Sequence, residues 1–226
     1  MIKHHPNAAI LKGFVDGTLA DSVSLIVSSH VELCEHCQQQ VSQITAEAAN
    51  HAFEAQPAFS NEESGNFSFD DMDFDFDAIE AITADASQSV EVTPEVNQVT
   101  VADTTFTVPR AINSIARKDW MNLGKISRAR LDFEDESLHT SLLHIDKGGQ
   151  VPCHTHKGFE ITLLLEGSFE DEMGVYNKGD FIWLDGNHTH QPETKEGCVC
   201  LTVSSDALHF TKGVSLLFNP LGKYIY

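Results

Sequence analysis

The stretch "HVELCEHC" sets His30, Cys34 and Cys37 at intervals that bring one imidazole and two thiols within reach of a single ion. His30 and Cys34 are four residues apart, on one face of any helix that continues that far, and Cys37 follows at the C-x-x-C interval. Three such donors call for a fourth, because structural zinc is tetrahedral and closed. His5, followed by Pro6 near the start of the chain, is the candidate, with His4 and His36 as rivals. Two other readings compete: surface thiols beside a core histidine, and a redox C-x-x-C, although the βαβ setting usual for the latter is missing from the pattern.

A second concentration of donors is "GQVPCHTHKGFE", from Gly149 to Glu160. His154 and His156, two apart on an extended strand, project to the same side of a sheet, so both imidazoles enter one space. Cys153 then points the other way, and Cys198 and Cys200 in "CVCLTV" share a face with each other. All three suit small buried hydrophobes. Thiols two apart on one strand are badly placed to close a mutual disulfide. The cysteines number five, an odd count that favours metal ligands or redox thiols over a disulfide framework.

These donors need elements to hold them. Ile10, Leu11, Phe14 and Val15 fit one face of a first helix that stops near Gly17. Asp21 or Ser22 is placed to cap a second helix carrying Val23, Leu25, Ile26 and Val27, and a third runs from about Cys34 through "QQQVSQITAEAANHAFEA". A bundle of roughly 50 residues has a marginal core and is the kind of scaffold that needs a metal staple. From Pro57 to Glu95 the chain turns acidic, Ser-rich and poor in aliphatics, the composition of a linker. Within it Met72, Phe76 and Ile79 recur at helical spacing beside Ala78 and Ile82, so "DDMDFDFDAIEAI" reads as a short amphipathic docking helix. From Thr105 onward come short β-rich runs, "TFTV", "HTSLLHI", "FEITLLLEGSFE", "VYNKGDFIWL" and "CVCLTVSS", spaced as in an all-β barrel or sandwich. The expected domains are therefore a helical unit over 1–56, an acidic linker over 57–100 and a β domain over 101–226.

The 226 residues carry a net charge of −20, and residues 1–100 hold 17 Asp and Glu against only Lys3 and Lys12. Such a surface repels nucleic acid and anionic membrane and fits a basic protein partner; solubility alone is the bland alternative. No apolar run approaches the ~18 residues of a membrane span, and "MIKHHPNAAILKGF" lacks the apolar core of a secretory signal, so the expectation is a cytoplasmic protein.

"HHP" followed by "HVELCEHC" resembles the zinc-binding anti-sigma domain, a helical bundle that sequesters an extracytoplasmic-function sigma factor of bacterial RNA polymerase. The resemblance implies Zn2+ on His5, His30, Cys34 and Cys37, and a sigma-contacting helix in the acidic segment. Farther on, Gly148, His154, His156, Glu160 and Gly167 reproduce G-x5-H-x-H-x3-E-x6-G of the cupin family in full. Its second motif, G-x5-P-x-G-x2-H-x3-N, starts at Gly179 and places its histidine on His190, with Asp185, Asn187 and Thr194 in place of the Pro, the second Gly and the Asn. His188 is the rival. A cupin is a double-stranded β-helix, or jelly-roll barrel, and the likeness implies a divalent metal on His154, His156, Glu160 and His190 with a position left open: Zn2+ first, with Fe, Mn, Ni or Co suited to the same donors.

The implied fold class is thus a multidomain α + β protein, a small zinc-stapled N-terminal bundle followed by an all-β cupin barrel. That combination resembles the ChrR type of anti-sigma factor, in which the bundle clamps the sigma factor and the cupin senses photo-oxidative or related oxidative stress. The resemblance implies a regulator with no catalytic residues, a sigma factor as partner, and no direct contact with nucleic acid or membrane. The alternative is a metal-dependent cupin enzyme, a dioxygenase or isomerase, with a zinc-binding appendage. The H-x-x-x-C-x-x-C favours the regulator, because an oxygenase has no need of an acidic, metal-tied helical arm.

Overall fold

The computed structural model describes residues 1–54, 76–84, 97–101, 103–133, 137–206 and 208–211. Among the described residues, those within Met1–Glu47 and Asn97–Tyr226 form one compact unit, and those within Ala48–Val96 separate as a second.

Helix α1 (Ala8–Val15) starts where the Asn7 side chain accepts the Ile10 amide at 2.9 Å. Just past its end, Gly17 takes a φ of +66°, a left-handed conformation that glycine adopts without Cβ strain. Helix α2 (Asp21–Leu33) is capped by neither expected side chain: Ala20 is its N-cap, and Asp21 stands in the first turn, where its charge complements the helix dipole. The helix does not continue to Cys34, which is extended at φ −122° and ψ 101°, and α3 (Glu35–Glu54) begins immediately after. His30 and Cys34 therefore do not share a helix face. The break supplies what continuity was expected to supply, turning the two thiols back toward His30.

In the second unit, α4 (Phe76–Ala84) leaves Ile79 50% and Ile82 72% exposed. Met72, counted with them in the sequence, lies outside the described residues.

The strands are β1 (Gln98–Val101), β2 (Thr104–Thr107), β3 (Met121–Leu123), β4 (Ile126–Arg130), β5 (His139–Ile145), β6 (His154–His156), β7 (Phe159–Asp171), β8 (Gly174–Asn177), β9 (Phe181–Asp185), β10 (Thr189–His190), β11 (Cys198–Ser204) and β12 (Leu208–Phe210), with a short helix α5 (Arg110–Asn113) after β2. One sheet runs β3-β4-β5-β11-β7-β8, with β9 also paired to β7, and a small one runs β10-β6-β12.

The alternation of β7 and β11 builds two cores. Ile161, Leu163, Leu165, Val199, Leu201 and Val203 join Leu11, Val23, Leu25, Ile26 and Val27 of the helices. The intervening Leu164, Cys198 and Cys200 pack with Ile145, Ile182 and Leu184 in a separate cluster. Helix α2 packs on β7 and β11, and α1 packs on α2. The helices thus bury their apolar residues against the sheet as well as against each other. Each fully buried Leu or Ile in that shared layer contributes about 1.5–3 kcal/mol relative to exposure.

Candidate metal centres

In the helical region the N-terminal segment, the end of α2 and the α2–α3 break converge. A ligand atom from each of His5, His30, Cys34 and Cys37 lies within 4.8 Å of every other. The His30 Nδ1 is 2.8 Å from the Gly179 carbonyl oxygen, which can only accept, so Nδ1 carries the proton and Nε2 presents a bare lone pair. That lone pair faces Cys37 Sγ at 3.3 Å. His5 Nδ1 stands 3.4 Å from Cys34 Sγ and 3.5 Å from Cys37 Sγ. Tetrahedral Zn–N and Zn–S bonds give ligand-to-ligand edges of roughly 3.5 Å, so this donor set fits zinc in size and softness. Burial pushes the Cys37 thiol up to about 12, with the neighbouring Cys34 adding to the shift, and lowers His30 to about 4. A divalent cation answers both, since it holds thiolate and neutral imidazole together.

The rivals lie elsewhere. His4 sets its ring 5.0 Å from that of Tyr176, and the exposed His36 stands edge-on to His5 at 5.2 Å; neither is among the four clustered donors.

In the β domain, β6 aims His154 and His156 to one side, and β10 pairs with it so that His190 lies opposite His154. All three are buried, at 2%, 3% and 4% exposure, which leaves little room for water around them. His154 Nδ1 is 2.7 Å from the Pro152 carbonyl oxygen and His190 Nδ1 is 3.0 Å from Asp171 Oδ2, so both rings carry their protons on Nδ1. Their Nε2 atoms then face each other at 3.0 Å, with His156 Nε2 3.4 Å from that of His190. Burial lowers His154 and His156 to about 4, so near neutral pH neither of these two rings brings a second proton to the gap. Three imidazole nitrogens converging at such distances form an arrangement that a metal ion would hold.

Glu160 is not brought into that group as a fourth equal member. Its Oε2 lies 3.2 Å from Nδ1 of His156, and its Oε1 accepts from Thr162 Oγ1 at 3.0 Å. Among the described residues the clustered donors are His154, His156 and His190. His188 pairs with Asp185 at 2.8 Å and leaves its side chain 42% exposed.

Several partners escaped the sequence reading. The Asp171 side chain is buried at the end of β7, and its pKa is lowered because the hydrogen bonds from His190 and the Met173 and Gly174 amides outweigh the opposing effect of burial. Nothing in "FEDEMG" separates it from Glu170 and Glu172 until the hairpin is formed. The carbonyls of Pro152 and Gly179 have no sequence signal at all. The remaining cysteines are buried: Cys153 is 3.3 Å from Thr211 Oγ1, and Cys198 and Cys200 sit in the interior cluster.

No helix among the described residues is long and apolar enough to cross a membrane. Residues 109–208 match the family described as the ChrR cupin-like domain. The chain is 27% identical over 226 residues to the anti-sigma-E factor ChrR of Cereibacter sphaeroides, covering 97% of each sequence. Among solved structures it is similar to that of Rhodobacter sphaeroides SigE in complex with the anti-sigma ChrR, at 25% identity and a TM-score of 0.63, over 90% of this chain and 100% of that one. The likeness to ChrR thus runs through the helices as well as through the second half of the chain, where the ChrR cupin-like domain is matched.

Proposed function

We propose that this protein is a cytoplasmic anti-sigma factor, a regulator rather than an enzyme, which sequesters an extracytoplasmic-function sigma factor. The observation that carries the reading is the whole-length likeness to ChrR, with the His and Cys donors of the helical region gathered at one point. His5, His30, Cys34 and Cys37 would hold Zn2+, which supplies a four-point crosslink between segments that share no continuous helix. His154, His156 and His190, with Glu160 against them, would hold a second divalent ion, Zn2+ first among the metals these donors suit. The acidic helix α4, with Ile79 and Ile82 exposed, offers apolar contacts inside a negative field to a basic partner.

The helices bind and cover the sigma surfaces that would otherwise meet polymerase and promoter, so target genes stay silent. Oxidative stress reaching the cupin-like domain loosens that grip. Co-expression with the sigma factor encoded nearby, followed by pull-down and metal analysis, tests the reading. The full chain should retain sigma stoichiometrically. A Cys34→Ser,Cys37→Ser double variant should lose one metal equivalent and release its partner, because the crosslink is what orders the binding surface. Full sigma binding by that metal-depleted variant would defeat the proposal.

A further inference from the structure

Two of the four N-terminal donors depend on one turn of the β domain. Gly179 and Asp180 lie between β8 and β9, far in sequence from the helical region, yet both reach its metal centre. The Gly179 carbonyl accepts the His30 Nδ1 proton at 2.8 Å and so fixes both the tautomer and the plane of that ring. The Phe181 ring stands edge-on to the same imidazole, its centroid 5.7 Å away. Asp180, with 0% exposure, accepts the backbone amides of Lys3 at 2.7 Å and His4 at 3.0 Å on Oδ1. The Phe181 amide donates to the His4 carbonyl at 3.0 Å. His4 is therefore held at both its N–H and its C=O, and the next residue is His5. Gly179 has a φ of +91°, and the Ile2 side chain occupies the space where a Cβ would stand.

The arrangement is costly unless it serves something. A carboxylate buried this completely loses its hydration, and what offsets the loss is three amide donors, from Lys3, His4 and, on Oδ2, Asn177 at 2.8 Å. One of those donors closes the turn itself. The other two belong to the segment that delivers His5.

We propose that the turn Asn177–Phe181 is the outer shell of the N-terminal metal centre, with Gly179 and Asp180 as positioning residues for His30 and His5, so that metal affinity there depends on the docked β domain. Outer-shell partners that orient ligating groups are worth about 10- to 100-fold in metal affinity. By linkage the dependence is mutual, and metal binding must tighten the hold of the turn on residues 3 and 4 to the same degree. The proposal rests on reading His5, His30, Cys34 and Cys37 as a metal site, and it is independent of any sigma partner.

The test uses the full chain. Asp180→Ala should weaken Zn2+ at the N-terminal centre about 10- to 100-fold in competition with a chromophoric chelator, with the affinity of the His154, His156 and His190 centre unchanged. In Co2+-loaded protein, the thiolate-to-metal charge-transfer bands report the N-terminal centre alone, since the other has no sulfur donor, and Asp180→Ala should alter them. Asp180→Asn keeps one acceptor oxygen and should show a smaller loss, which covers the case in which the alanine variant does not fold. Conversely, amide exchange at Lys3, His4 and Phe181 should quicken in the Cys34→Ser,Cys37→Ser variant and stay unchanged in His190→Ala. A residue that only shaped its own turn would leave the cobalt bands and that exchange pattern alone. Wild-type zinc affinity in folded Asp180→Ala, equal losses at both centres, or exchange indifferent to the two thiols would overturn the proposal. Failure to bind a sigma factor would leave it standing, and its own failure would leave sigma binding untouched.

Discussion

At the scale of single residues, what distinguishes both clusters from packed histidines is where the protons are. A core histidine satisfies one nitrogen as donor and the other as acceptor, whereas His154 and His190 each spend Nδ1 on an oxygen and turn Nε2 toward the other at 3.0 Å. The choice between His190 and His188 follows from the same reasoning. His190 is buried against Asp171, while His188 is satisfied by Asp185 at the surface. His190→Ala should therefore strip the β-domain metal and leave the N-terminal one, giving one equivalent by elemental analysis, and His188→Ala should keep two. Metal retained by His190→Ala and lost by His188→Ala would reverse the assignment. Glu160 stands at the edge of the cluster, 3.2 Å from Nδ1 of His156 and hydrogen-bonded by Thr162.

At the scale of elements, α2 joins what the sequence pattern kept apart. Its Ile26 and Val27 have no exposed surface, and the layer they enter contains Leu163, Leu201 and Val203 of the sheet. Ile26→Ala leaves a cavity between helix and sheet and should cost about 2–5 kcal/mol. Because the layer is shared, helix loss followed at 222 nm and the fluorescence of Trp120 and Trp183, both in the β domain, should shift together to lower denaturant. Separate transitions, with only the helical one moving, would show that the two regions unfold independently. Helix and strand patterns made α1, α2 and the β-rich runs of β7 and β11 legible in advance, and spacing alone drew attention to His30, Cys34, Cys37, His154 and His156. The break at Cys34 was not legible, since no Gly or Pro marks it and the demand comes from donors gathered across three segments. Nor was the docking of α2 on the sheet: Val23, Leu25, Ile26 and Val27 read equally well as the inside of a bundle, and periodicity does not name the surface that covers an apolar face.

At the scale of the whole molecule, charge decides how a partner arrives. The net charge is −20, and residues 1–100 carry 17 acidic side chains against two lysines. Isolated ion pairs on an exposed surface add little to affinity, so the effect of so one-sided a field belongs in the rate of encounter. A partner with basic nucleic-acid-binding surfaces is drawn in over distances comparable with the Debye length, about 10 Å at 0.1 M salt and about 3 Å at 1 M. Once docked, the complex is held by desolvated contacts that salt screens far less. The association rate constant with the sigma factor should accordingly fall about tenfold or more between low and high salt, while the dissociation rate changes little. Stopped-flow mixing of labelled sigma factor with the full chain over a salt series separates the two constants. A flat association rate would mean that the acidic charge keeps the protein soluble and takes no part in capture; a dissociation rate rising steeply with salt would instead place exposed ion pairs at the centre of the interface.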